Sequence, residues 1–347
     1  MAVSIFNQGQ FTDLAPLFEF TNRKNFLLSN LGIFDTVHVK HADVMLKEVV
    51  ETRAGINLPK SRYSSDHNVS GKPSALFKQV TLPWYSRAAM FTPQDVANQA
   101  RITGVMAVEE NEADLAQYYL EEHARAFRNT REELFAMALF QGKVMDTAEA
   151  GNVLIDWADI YGQEQIKQTI DLTSTTTNPA DVLEDVVSEI ESKADGLASD
   201  IGRIIVFCTP TFYNGFRRNP AFKETYTYTN VFDPRNPIVQ QSSLVDNDSF
   251  DIAGTKITLV KVTQKEISKY LPANGAVVLP MFTGDSKGAY SNFVGAASGN
   301  FEVLGGTEEF YSAAWRSYDR KAYHVESENS SLPVNRVFGF SAALSPA

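Results

Sequence analysis

One stretch of this chain matches a nucleophile motif: Gly284-Asp285-Ser286-Lys287-Gly288 fits G-x-S-x-G. In that motif the serine sits on a sharp strand-to-helix turn that exposes its hydroxyl, and an acid and a histidine follow it along the chain. Asp319 and His324 follow Ser286 in that order, and the apolar run 276–280 supplies a strand before the turn. The remaining parts of such a site are missing. The segment Tyr290-Ser291-Asn292-Phe293-Val294-Gly295 is a poor helix start, no HGGG-type oxyanion segment occurs, and little chain follows Ser286 for the rest of a sheet. Gly, Asp, Ser and Lys are also what a polar turn is made of, so an exposed loop is the expectation for 284–288.

Other chemistry finds less support. Gly71-Lys72 is followed by Pro73, and Asp66 stands where a P-loop needs glycine. No G-x-G-x-x-G occurs at a strand-to-helix turn, so no nucleotide cofactor is expected. His38 and His41 are three apart, which in an alternating strand places them on opposite faces. His67, His123 and His324 are isolated, and no Cys/His spacing suits zinc. Glu109, Glu110, Glu112 and Asp114 crowd a helix start, where they compensate the helix dipole. The single cysteine, Cys208, ends a β-rich run and reads as a small buried hydrophobe. No catalytic, cofactor or metal residues are assigned.

The 347 residues carry 31 basic and 42 acidic side chains, a net charge of −11. Nucleic-acid affinity comes from neutralising phosphates, so a chain this acidic is a poor wrapper of DNA. The basic clusters Arg217-Arg218 and 316–321 are too small for a groove. The longest apolar runs, such as 204–208 and 276–279, fall far short of the ~20 residues of a membrane span. Residues 1–8 lack the basic and apolar regions of a secretory signal, and with one cysteine this fits folding in a reducing, intracellular setting. With 44% hydrophobic residues the chain can build a sizeable core.

The elements give a clearer message. Residues 1–43 are irregular and hold six phenylalanines, Phe6, Phe11, Phe18, Phe20, Phe26 and Phe34, as an arm that lies across other surfaces would. Strand-like segments at 44–53 and 76–82 flank a polar interval, 54–73, rich in turn formers. Together they read as a long hairpin whose tip has too few apolar residues for a core of its own. From 109 to 141 strong helix formers dominate, with Leu120, Ala124, Phe127, Leu134 and Ala138 on one stripe and Gly142 as a stop. Glu121–Arg125 and Arg128–Glu132 have i,i+4 spacing on it. At ~1.5 Å per residue this helix is roughly 50 Å long, a spine. Asn178-Pro179 starts an amphipathic helix running to about 199. A buried strand at 203–208, a short helix at 211–218 and β-rich segments at 255–262, 275–280 and 334–344 complete a mixed unit. Arms and projecting hairpins lose entropy unless neighbours order them, so the layout points to an assembly subunit that lends strands to neighbouring copies.

The order of these parts resembles the major capsid proteins of lambda-like tailed phages, the capsid protein E family, from about Phe18 onward. The aromatic opening and strand match at 26–39, and an arginine-glycine segment inside the loop is similar to Thr52-Arg53-Ala54-Gly55, where alanine interrupts the pair. The loop returns through Lys78-Gln79-Val80-Thr81-Leu82 into an acidic, alanine-rich helix ending near Leu139-Phe140-Gln141-Gly142-Lys143. Ile204-Ile205-Val206-Phe207 before a phenylalanine-containing helix is also similar to the family, as are Leu271-Pro272-Ala273-Asn274 and the closing region 315–344.

The resemblance implies an α+β, Hong Kong 97-like capsid fold. Its parts would be an N-terminal arm (1–43), an extended β-hairpin loop (44–82), a peripheral domain with the spine helix 109–142 (83–178 and 315–347), and a central axial domain (179–314). It implies a chain that is no enzyme and self-assembles into hexamers and pentamers of an icosahedral shell enclosing double-stranded DNA. Arg53, Lys60, Arg62 and Lys72 would be inter-subunit residues of the loop. Implied partners are further copies, a separate scaffolding protein, a portal and, as an option, a decoration protein. The packaged DNA would be held without sequence-specific binding, and no membrane is involved. The implied location is the virion capsid, assembled in the bacterial host cytoplasm. Some relatives of the fold crosslink lysine to asparagine; Lys60, Lys72 and Asn335 do not match that site, and no crosslink is assigned. The two other readings are a serine hydrolase using Ser286, Asp319 and His324, and another oligomeric virion structural protein.

Overall fold

Two main sheets share one long helix, and strands distant in the chain come together in each. The computed structural model describes residues 26–47, 77–103, 108–146, 152–223, 239–241, 249–252, 255–299, 304–319 and 321–347. In chain order the elements begin with α1 (Leu27–Leu31), β1 (Asp35–Val39), β2 (Asp43–Lys47), β3 (Phe77–Thr81), β4 (Trp84–Phe91), α2 (Pro93–Thr103) and α3 (Val108–Phe140). Then come β5 (Lys143–Met145), β6 (Val153–Asp156), α4 (Trp157–Tyr161), β7 (Ile166–Ile170), α5 (Pro179–Ala194), β8 (Ile201–Cys208) and α6 (Pro210–Arg218). Last are β9 (Val239–Gln241), β10 (Ser249–Ile252), β11 (Ile257–Lys261), α7 (Lys265–Ser268), β12 (Ala276–Phe282), β13 (Tyr290–Gly295), β14 (Phe310–Arg316), β15 (Tyr323–Asn335) and β16 (Ala342–Pro346).

The seven-stranded sheet runs β7-β16-β12-β8-β11-β10-β9. Its centre, β8 and β12, is apolar almost without interruption because both faces are covered, which is why these strands read as continuous runs. Helix α5 packs Leu183, Val186 and Ile190 inward. Its start follows the local chemistry expected: the Asn178 side chain accepts from the Ala180 amide at 3.1 Å, and Pro179 occupies the first turn. Helix α6 buries Phe212 and Phe216 in an aromatic group with Phe222 and Phe250. Cys208 is fully buried, and burial pushes its thiol well above the ordinary value.

The five-stranded sheet is built on β15. The first part of β15 is flanked by β14 and β4, and its last five residues pair with β13, which carries β1 in parallel. Sheet membership does not follow the chain divisions expected from the sequence. Strands β7 and β16 lie in the expected peripheral segments yet join the sheet of β8 and β12. Strand β13 and most of β14 lie in the expected axial segment yet pair with β15. Segment 334–344 is likewise two strands, parted by a turn at Phe338–Phe340.

The spine, α3, serves both sheets. Its first half lays Ala116, Leu120, Ala124 and Phe127 against Phe91, Ala314, Tyr323 and Val325 of β4, β14 and β15. Its last turns, 134–140, are buried on all sides in the main core, where Phe34 stacks on Phe135 with centroids 4.3 Å apart. The helix stops at Gly142, whose φ of +65° and near-contact with the Phe338 ring leave no room for a Cβ.

Candidate functional site

The hydrolase constellation does not assemble. Residues 284–289 form a tight turn that leads straight into β13, so no helix follows Ser286. Tyr290, which ends that turn, pairs with Asn335 at one end of β15, whereas His324 pairs with Trp315 near the other end. Eleven residues of strand separate the two, roughly 36 Å at ~3.3 Å per residue. Asp319 sits in the β14–β15 turn, where it accepts the Ser317 hydroxyl at 2.5 Å and the Lys321 amide at 3.2 Å; these bonds hold its carboxyl below the usual range. The His324 ring stacks on Trp315 at the same end of the sheet as Asp319, far from the turn that carries Ser286. Three groups that follow one another correctly in sequence are thus distributed over opposite ends of one sheet.

What the fold does assemble is a braced scaffold around α3. Glu112 was expected only to compensate the helix dipole; it is buried and accepts from Arg316 of β14 at 2.7 Å. The Arg316 guanidinium also lies over the Tyr323 ring, 4.9 Å from its centroid. Farther along, Arg131 pairs with Glu309 at 2.5 Å. Glu133 accepts the Tyr270 hydroxyl at 2.7 Å and pairs with Lys269, just past α7. Glu132 reaches the start of α1, accepting the Leu28 amide, the Ser29 amide at 3.1 Å and the Ser29 hydroxyl at 2.7 Å. Burial raises the Glu132 pKa, and these donors pull it partway back. Sequence spacing pointed Glu132 at Arg128; the structure gives it a segment a hundred residues away. The only trace of that role in the sequence is a run of charges, 131–133, entering the most apolar part of the helix. His123 bonds the Ser327 hydroxyl at 3.0 Å, and His38 meets the Thr307 carbonyl at 2.7 Å. Among the described residues, no group of three or more His, Cys, Asp and Glu is placed to hold a metal ion.

The hairpin's base is fixed to this scaffold. Strands β2 and β3 pair from Asp43↔Thr81 to Lys47↔Phe77, with Val44, Leu46, Val80 and Leu82 in the main core. Lys78 donates to the Ile160 carbonyl of α4, and Thr81 to Asp43 at 2.7 Å. Arg53, Lys60, Arg62 and Lys72 lie outside the described residues, as do 1–25 of the expected arm. Asn335 is fully buried, donating to the Ala138 carbonyl and accepting from the Val337 amide. Met45, Trp84, Met90, Tyr118, Val153, Leu154, Leu304 and Tyr318 are large apolar side chains left in water. Several fall on β4, the outer side of α3 and the hairpin base.

Residues 14–339 match the family described as phage major capsid protein E. The chain belongs to the phage major capsid protein E family. It is a shell-forming structural protein of the virion capsid, and the hydrolase alternative is set aside. Solved structures agree on the fold. The capsid of Myoviridae phage XM1 superposes over all of this chain and 96% of its own, with a TM-score of 0.53 at 11% identity. A protein described as a capsid protein of a prophage (E. coli CFT073) superposes over 98% of this chain and all of its own, with a TM-score of 0.54 at 13% identity. No curated protein sequence matches. The mixed helix-and-sheet fold is therefore that of Hong Kong 97-like capsid proteins, with α3 as its spine.

Proposed function

We propose that copies of this chain associate as hexamers and pentamers of an icosahedral shell enclosing double-stranded DNA, assembled in the bacterial host cytoplasm. In this reading 1–43 is an arm, 44–82 an extended loop, 83–178 and 315–347 a peripheral domain, and 179–314 an axial domain. Strands from both divisions share the two sheets, so the two domains would pack as one body within the subunit. Arg53, Lys60, Arg62 and Lys72 contact neighbouring copies. A scaffolding protein, a portal and, as an option, a decoration protein complete the particle, and the chain itself catalyses no reaction.

The observation that carries this reading is the anchored hairpin base. Leu46, Val80 and Leu82 are buried and Lys78 is tied to α4, so residues 48–76 leave from a fixed root. Fixing the root lowers the entropy lost when the far end engages another copy. The net charge of −11 suits a wall that encloses DNA without gripping its phosphates. The test is deletion of 54–73, followed by size exclusion and electron microscopy alongside the intact chain. The shortened chain should fold as a subunit and form no shells. Normal shells from it would refute the role given to the loop, and only small closed complexes from the intact chain would refute the shell itself.

A further inference from the structure

The outer face of the five-stranded sheet, turned away from α3, holds an unsatisfied carboxylate. Glu328 of β15 is only 8% exposed. Its Oε2 accepts the Trp84 indole N–H at 2.9 Å and the Gly299 amide at 2.7 Å, while its buried Oε1 has no hydrogen-bond donor. Both donors are neutral, and a buried carboxylate without a counter-charge is costly. Glu328 lines a cleft of about 210 Å³, with Trp84, Ala88, Gly299, Tyr311 and Glu326 around it. Arg87, also at its edge, places its guanidinium against Glu122 of α3 at 3.4 Å. The backbone is shaped to keep the carboxylate there: a Cβ on Gly299 would lie 2.2 Å from Glu328 Oε2.

A buried carboxylate beside an indole and a phenol, with the exposed carboxylate of Glu326 two positions along the same strand, makes surroundings that favour a guanidinium or ammonium group, through charge-assisted hydrogen bonds and attraction to the ring faces. We propose that this cleft receives a basic side chain from a second copy of the chain, so that Glu328 gains its counter-charge only on assembly. The proposal rests on the shell-forming reading above. Charge complementarity argues for a second copy as the occupant: the cleft is acidic, and every copy presents exposed cations, Lys40, Arg125, Arg217 and Arg218 among them.

Two measurements test it. Glu328→Gln keeps an acceptor for Trp84 and Gly299 and removes the charge. The variant subunit, relieved of an uncompensated buried charge, should melt at or above the parent's temperature, while the concentration needed for shell assembly rises roughly tenfold or more, as loss of one member of a buried interfacial charge pair requires. In parallel, a photoreactive residue replacing Ala88 should crosslink, in assembled shells, to a peptide of a second copy bearing arginine or lysine. An unchanged assembly threshold for Glu328→Gln, or crosslinks only within one chain or to a different protein, would overturn the proposal while parent shells leave the shell reading intact. Failure of the parent chain to form any multi-copy particle would overturn both.

Discussion

Glu132 holds the first described helix against the spine, and its removal should free that helix while leaving the rest of the subunit folded. In Glu132→Ala the Leu28 amide, at a fully buried residue, loses its acceptor, at a cost of about 1–3 kcal/mol. The Ser29 amide and hydroxyl are only partly buried and regain water, so each adds about 0.5 kcal/mol. Relief of the carboxylate's own burial, visible as its raised pKa, offsets part of this. The net is about 2 kcal/mol, or ~30-fold in the opening equilibrium of α1. Amide hydrogen exchange at fixed pH reads this directly. The Asn30 and Gly32 amides, bonded to the Phe26 and Ser29 carbonyls, should exchange about 30-fold faster. Amides of 134–140 should keep their protection. Glu132→Gln retains one acceptor oxygen and should fall between. Exchange in the alanine variant within twofold of the parent would show that apolar packing of Leu27 and Leu28 alone docks α1.

Two further outcomes follow from local geometry. A Cβ at Gly275 would lie 2.1 Å from the Leu344 carbonyl oxygen, so Gly275→Ala must push β16 off β12; a loss of about 2–3 kcal/mol is expected in urea unfolding, and an unchanged midpoint would contradict it. Burial first, and then the nearby Arg87, lower the pKa of His123, so the folded state binds fewer protons than the unfolded one between that depressed value and ~6.5. Stability should therefore fall as pH drops through that window, and melting curves of His123→Gln should lack that part of the decline; identical pH profiles for the two proteins would refute the assignment.

The parts legible in the sequence are those whose signal is local. The spine was visible because propensity and a 3.6-residue apolar stripe coincide over 33 residues, and α5 because Asn178 and Pro179 satisfy a helix start within three positions. Strands β8 and β12 were visible as unbroken apolar runs. Sheet membership was not, since β13 and β16 have similar short patterns and their placement depends on partners about 40 to 260 residues away. Strand propensity cannot choose among such partners. The braces failed to show for the same reason: Arg128–Glu132 spacing is a local rule, and the donors at Leu28 and Ser29 are far off in sequence. Ser286, Asp319 and His324 show the converse, in which a correct order along the chain corresponds to no proximity in space.

Strand β16 sets a schedule for the chain as it leaves the ribosome. Its parallel partner β7 ends at Ile170, and β16 begins 172 positions later at Ala342. At about 5–20 residues per second, β7 waits roughly 10–30 s for the strand that separates it from β12. Once β12 has emerged it too lacks its neighbour on one side until β16 follows, and the sheet is open at that apolar strand. Synthesis that halts before residue 342 therefore releases a chain whose edge strand is β12, where the folded subunit has β16 and β7 beyond it. Copies that lack β16 thus carry an apolar edge that distinguishes them from copies fit to be built into a particle.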